Sequence, residues 1–373
     1  MPATDHELIH FSLAREIEVH RPLWPAALLP PDRVEAARAA ASSLPPIFHW
    51  LMLETRLTGD DPRVDLLACI VDTPGARLAL GDALASSSSP LLEGARPLLS
   101  AWASPELHPQ RSCLEKTTIV WLEWDAPYSA PPLQLPFIDR RFWGEPTAAP
   151  SPPEELVAMV DGGYQATFGE PADRAMLDAF RRLITSLPRG ARALAATSLR
   201  PRGRSCDRLF VSVPQPLVLP WLDSIGWPGE RARVRRWLPR LVAPWEDVFL
   251  QVEVADGAPT PYLGLEPRQT ELSTVDRRER ARLLTSLIDA GLTDHERVAA
   301  LEAWTHGPAP SGADPRAARS IHLKLILHPE APIEVKAYFG LHLRRLRPGR
   351  RASSARQAKT LATASLRPPH RLR

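Results

Sequence analysis

The sequence predicts an α+β protein: a closed ten-stranded antiparallel β-barrel, built from five α-α-β-β units and ringed by outer helices. Three observations predict it. Strand-like segments come in pairs that begin at 47, 117, 193, 248 and 321, a recurrence of about 68 residues. Two helix-like segments precede each pair. The strands alternate between one apolar and one polar face, and the polar faces together also collect Trp50, Trp121, Phe210, Tyr262 and Tyr338. Ten antiparallel strands suffice to close a sheet and remove its edges, and the helices then cover the strand faces that point away from the axis.

The elements follow in order. Asp5–His20 reads as a helix opened by the capping box Thr4-x-x-Glu7, and Asp32–Ser43 as a second with Asp32-x-x-Glu35. The first hairpin is Ile47–Leu57 and Arg63–Val71 around Gly59-Asp60-Asp61-Pro62. Pro74–Ala85 and Pro90–Ala103 both begin with proline, which suits a first helical position. Thr117–Asp125 and Leu133–Arg140 form the second hairpin. Glu154–Phe168, after Ser151-x-x-Glu154, and Pro171–Leu187 lead to the third, Ala193–Leu199 and Arg208–Val213, with a turn at Arg202-Gly203-Arg204. Leu217–Trp227 and Gly229–Leu241 precede the fourth, Val248–Val254 and Pro261–Glu266. Asp276–Ala290 and Asp294–Thr305, with the box Thr293-x-x-Glu296, precede the fifth, Ile321–Leu327 and Ile333–Leu341. A division into two α+β domains near Pro146–Pro153 is the competing arrangement; the order of elements does not change across that linker, which favours one barrel domain over 1–343.

Composition excludes several classes. No stretch reaches 18 uninterrupted apolar residues, so no membrane helix or membrane partner is expected. Four acids before position 20 do not suit a targeting peptide. Cys69, Cys113 and Cys206 stand too far apart for a disulfide framework or a zinc ribbon, so a reduced, cytoplasmic protein is expected. The net charge of +3 hides an asymmetry: residues 341–373 hold ten Lys/Arg and no acid, and taking those ten away leaves −7 for residues 1–340. Residues 344–373 read as a basic, disordered tail. A nucleic-acid role would rest on that tail alone, and a solvated terminus is the favoured reading. Only four of 46 basic residues are lysine, so Lys324 and Lys336, inside strands, invite a chemical reason.

Alternation assigns the inward face. It comprises Trp50, Met52, Glu54, Arg56, Arg63 and Asp65; Trp121, Glu123 and Asp125; Arg200, Arg208, Phe210 and Ser212; Gln251, Glu253, Tyr262 and Glu266; and His322, Lys324, Glu334, Lys336 and Tyr338. Ten strands enclose more space than side chains fill, so a solvated or ligand-filled lumen is expected. Cations with tyrosine hydroxyls suit an oxyanion, above all a diphosphate, through charge-assisted hydrogen bonds. Aromatic faces such as Trp50, Trp121 and Tyr262 suit a carbocation. Glu54 suits the acceptance of a proton from an indole. This chemistry demands no metal or cofactor. Ion pairs such as Glu54–Arg56 or Glu334–Lys336 are the plain alternative for the same residues.

With these residues in place, the chain resembles the antiparallel-barrel (αββα, or ABBA-type) aromatic prenyltransferases, among them the tryptophan dimethylallyltransferases and the cyanobactin prenyltransferases. The resemblance in organisation spans about residues 5–341. Lys336-Ala337-Tyr338 looks like the Lys-x-Tyr strand motif by which those enzymes hold the diphosphate. The resemblance implies that Lys324, Arg63 and Arg208 join that motif, that Glu54 takes the proton, and that Trp50 and Trp121 shield the cation. It further implies transfer of a prenyl group from an isoprenyl diphosphate to an aromatic small molecule or peptide. The chain departs from the pattern in having one such Lys-x-Tyr pair and in placing Glu123, Asp125, Glu253 and Glu266 where cations are expected. A barrel that binds a peptide or metabolite without transforming it is the alternative. Enzyme status, prenyl length, acceptor and oligomeric state stay open at this point. Asp294-His295-Glu296 resembles the start of a zinc motif, but Ala299 stands where the second histidine belongs.

Overall fold

The computed structural model describes residues 12–59, 63–73, 75–136, 151–241, 246–267, 277–306, 308–314 and 317–343. The Thr4 capping box, Asp60-Asp61, Pro74, residues 137–140 of the fourth predicted strand and the tail from 344 lie outside the described residues.

Ten strands form one sheet: β1 (Trp50–Arg56), β2 (Asp65–Val71), β3 (Ile119–Trp124), β4 (Leu133–Pro136), β5 (Arg192–Ser198), β6 (Asp207–Pro214), β7 (Asp247–Ala255), β8 (Ala258–Pro267), β9 (Ala317–Leu327) and β10 (Glu334–Leu343). The order is β4-β3-β2-β1-β10-β9-β8-β7-β6-β5, antiparallel throughout. Going round, each strand lies beside its neighbour in sequence, and β1 meets β10 through a seven-pair ladder from Trp50↔His342 to Arg56↔Lys336. The end strands β4 and β5 meet through a side chain: the Thr197 hydroxyl donates to the Gln134 carbonyl at 2.9 Å. This is a nearly closed ten-stranded antiparallel barrel with helices outside, the architecture expected from the sequence.

Eleven α-helices surround it among the described residues. They are α1 (Leu13–Val19), α2 (Pro31–Ala41), α3 (Ala76–Ser86), α4 (Arg96–Ala103), α5 (Arg111–Lys116), α6 (Pro153–Phe168), α7 (Arg174–Thr185), α8 (Val218–Ser224), α9 (Arg231–Leu241), α10 (Arg277–Asp289) and α11 (His295–His306). Helix α7 illustrates how one forms. Asp173 caps it by accepting from Met176 N, and Met176, Ala179, Phe180, Leu183 and Ile184 make the buried stripe. The outward strand residues, such as Leu51, Leu53, Leu250 and Phe339, share one apolar core with the helices. A second apolar cluster of Trp50, Met52, Leu67, Cys69, Ile119, Trp121 and Tyr338 stands apart on the inward side. Indole N–H groups fix the outer layer to strands: Trp304 of α11 donates to Ser320 O at 3.0 Å, and Trp227, between α8 and α9, donates to Tyr262 O at 3.4 Å.

Several expected boundaries are corrected. Pro30 and Pro152, not Asp32 and Ser151, precede α2 and α6, and neither makes a side-chain cap; Ser151 Oγ instead donates to Glu155 at 3.3 Å. Asp294, not Thr293, caps α11, accepting from Arg297 N at 2.8 Å. The segment from Pro90 starts as a 3-10 helix and becomes α4 only at Arg96. Helix α5 falls where no element was expected. No described helix is long and apolar enough to cross a membrane.

Candidate functional site

Register turns the inward face into tiers. Arg56, Lys336 and Lys324 lie side by side on β1, β10 and β9. The next tier is Asp65, Glu54, Tyr338 and His322; then Leu67, Met52, Gly340 and Ser320; then Cys69, Trp50 and His342. Trp121, opposite Cys69, adds a ring 5.5 Å from that of Trp50. One end of the lumen is therefore charged and the next is aromatic. Some inward residues keep a little solvent contact, with Lys336 and Trp121 each 9% exposed, whereas Glu54, Asp65 and Ser320 show none, like Leu51 and Leu53 on the outward face.

Each cation in the charged tiers has a carboxylate. Lys336 Nζ donates to Glu54 Oε1 at 2.5 Å, and Arg56 Nη2 lies 3.3 Å from the same oxygen. Arg56 Nη1 also donates to Asp65 Oδ2 at 2.5 Å. Lys324 Nζ stands 3.7 Å from Glu266 Oε1. Arg202 grips both oxygens of Asp125 and donates to Glu123 Oε1 at 2.6 Å. Glu253 accepts from Arg204 at 2.7 Å and from Arg208 at 3.2 Å, and Arg208 stacks 4.1 Å from the centroid of Tyr262.

The electrostatics follow from burial and these pairings. Burial acts to raise the Glu54 pKa, but Lys336, Arg56 and Lys324 outweigh it and hold the carboxyl well below its usual range. Burial likewise acts to lower Lys336, and the Glu54 charge overcomes it, so the ammonium stays above its ordinary value. Asp65 is pushed up to about 6 by burial and the nearby Glu54 charge, with Arg56 opposing. The Tyr338 phenol is pushed well up, first by burial and then by Glu54.

Of the residues singled out in the sequence, Glu54, Lys324, Lys336, Tyr338, Trp50 and Trp121 converge on this part of the lumen. Arg208 and Tyr262 line it further round, beside Glu253. Arg63 is not among them: it is exposed and precedes β2, which starts two residues later. Arg200 also departs from expectation. It lies in a 3-10 turn, pairs with exposed Glu170 at 2.7 Å and covers the rings of Tyr164 and Phe168. Arg202, read as a plain turn residue, takes the inward role instead. The unpaired look of Glu123 and Asp125 in the sequence was the signal that a cation had to reach them.

No family model matches the chain, and no curated protein matches it. Among solved structures it is similar to the prenyltransferase PriB in ternary complex with L-tryptophan and dimethylallyl thiolodiphosphate, at 13% identity and a TM-score of 0.48, over 90% of this chain and 99% of that one. The apo form of PriB gives 13% and 0.47 over the same shares, and its binary complex with product diphosphate gives 14% and 0.47 over 90% and 100%. The strand order described above rests on this chain's own ladders, and the meeting of β4 with β5 on the Thr197 hydrogen bond.

Proposed function

We propose that the protein transfers a prenyl group from an isoprenyl diphosphate to an aromatic, indole-like acceptor, a small molecule or a peptide, inside the barrel. The observation that carries this reading is the stacking of tiers: paired lysines on adjacent strands, Tyr338 in the next tier, and the wall of Trp50 and Trp121 two tiers beyond it. Lys324, Lys336 and Arg56 would hold the diphosphate, with Arg208 further round the wall. The C1–O bond of the donor breaks, the electron pair leaves with the diphosphate, and the indole faces stabilise the allylic cation. An acceptor carbon forms the new bond to C1 and then loses its proton to Glu54. A carboxylate held below its usual pKa is a weak base, but the arenium proton it takes is strongly acidic, and its charge stabilises the cation before transfer.

A second reading has its own support. Every lumen cation named above already faces a carboxylate, an arrangement that also suits a barrel holding a peptide or cationic metabolite without transforming it. Calorimetric titration with dimethylallyl and geranyl thiolodiphosphates, with and without magnesium, separates the two. Transfer predicts saturable binding to the wild type, lost in Lys336→Ala and in the charge-balanced Glu54→Gln/Lys336→Met double variant. Folded wild-type protein that binds neither compound overturns the transferase reading.

A further inference from the structure

The aromatic end of the lumen holds polar side chains that the transfer chemistry does not use. Ser320 is fully buried, and its Oγ has no hydrogen-bond partner. His322, two residues along the same inward face of β9, buries an Nε2 that also has none. Buried polar atoms in folded proteins rarely go without a partner, so both the hydroxyl and the imidazole nitrogen call for an explanation. An aromatic wall borders His322: the Trp50 ring stands edge-on to it at 6.0 Å, and lies 4.8 Å from His342. Opposite Ser320 is Gly340, where a Cβ would collide with Ser320 Oγ and come within 3.2 Å of Trp50 Nε1. The glycine thus allows the hydroxyl and the indole edge to overhang one spot.

This spot is electrically unlike the lysine tier. Burial and the neighbouring His342 push His322 down to about 3, so its imidazole is neutral at any working pH. Along β10, Gly340 is four residues from Lys336, about 13 Å at strand rise, and His322 is two residues from Lys324 along β9, about 7 Å. An anion has no reason to stop here, whereas a flat uncharged ring with one hydrogen to donate satisfies what the wall lacks.

We propose that His322 and Ser320 form an acceptor-recognition subsite that takes an uncharged aromatic ring bearing an N–H, donated to His322 Nε2, with the ring packed on Trp50. This rests on the reading of the lumen as the place where the acceptor binds. With the imidazole proton on Nδ1, Nε2 accepts the acceptor's N–H, and the Ser320 hydroxyl serves as the neighbouring polar contact. A site built to receive an N–H discriminates against an isostere that lacks it, because its own buried atom is left unpaired.

The test compares indole with benzothiophene, its isostere without the N–H, by calorimetry on the full chain, with dimethylallyl thiolodiphosphate titrated separately. The wild type is expected to favour indole by about tenfold or more. In His322→Leu and in Ser320→Ala that preference falls towards one, while thiolodiphosphate binding is unchanged. Wild type that binds neither ring, or does not prefer indole, overturns the proposal, as does a preference that survives in both variants. If thiolodiphosphate binding fails in the wild type but the indole preference is present and lost on His322→Leu, the transfer reading falls and the subsite stands.

Discussion

Glu54 receives two cations on one oxygen and shares a tier with Tyr338 and Asp65, all of it out of water. At such a position the Coulomb attraction offsets a large desolvation cost, and removing one partner exposes that cost in full. Lys336→Ala is therefore expected to destabilise the fold by about 3–5 kcal/mol. The Glu54→Gln/Lys336→Met double variant, which leaves no uncompensated charge, should lose much less. Urea unfolding of the two proteins reads the difference, and equal losses would show that the pair is not coupled. Arg56 is the reason some loss remains, since its own link to Asp65 does not depend on the lysine.

At the scale of elements, alternation was the legible part. It placed Lys324, Lys336, Glu54 and the two tryptophans on one face because a strand's side-chain period leaves no other choice. Helix starts were less legible. Asp32 and Ser151 belong to capping-box spacings, yet a proline stands immediately before each helix and another at its first position, and the box is not made. The six residues of α5 are too few to display a helical period. Arg202 escaped because a turn carries no face; where its side chain points is decided by the partner strands, not by spacing. The barrel seam was equally hidden, since β4 and β5 are consecutive strands that alternation treats like any other pair. Their link through Thr197 predicts that Thr197→Val leaves the buried Gln134 carbonyl without that donor at a cost of about 1–3 kcal/mol. The midpoint of urea unfolding measures it, and a change below about 0.3 kcal/mol would mean that the seam does not depend on this bond.

For the molecule as a whole, buried carboxyls set the response to pH. Asp207, bonded to the Tyr164 hydroxyl, is pushed up to about 7 by burial and by the Glu253 charge; Asp65 is pushed up to about 6. Both hold a proton more tightly folded than unfolded, so the stability they contribute is present below about pH 4 and lost as pH rises through 6 and 7. Glu54 works the other way, losing its contribution only as acid approaches its depressed folded value. The urea midpoint is expected to fall between pH 5 and 8, and Asp207→Asn to flatten that fall; parallel slopes in wild type and variant would count against it.

The junction of β1 with β10 has a consequence in time. The strand bearing Glu54 leaves the ribosome some 282 residues before the one bearing Lys336, so β1 waits through most of synthesis with one edge unpaired and its carboxylate without its lysine. The barrel cannot be assembled strand by strand into a working vessel. Its charged tiers are completed all at once, when the last hairpin of the barrel docks, and until then the half-made chain stays exposed to its neighbours.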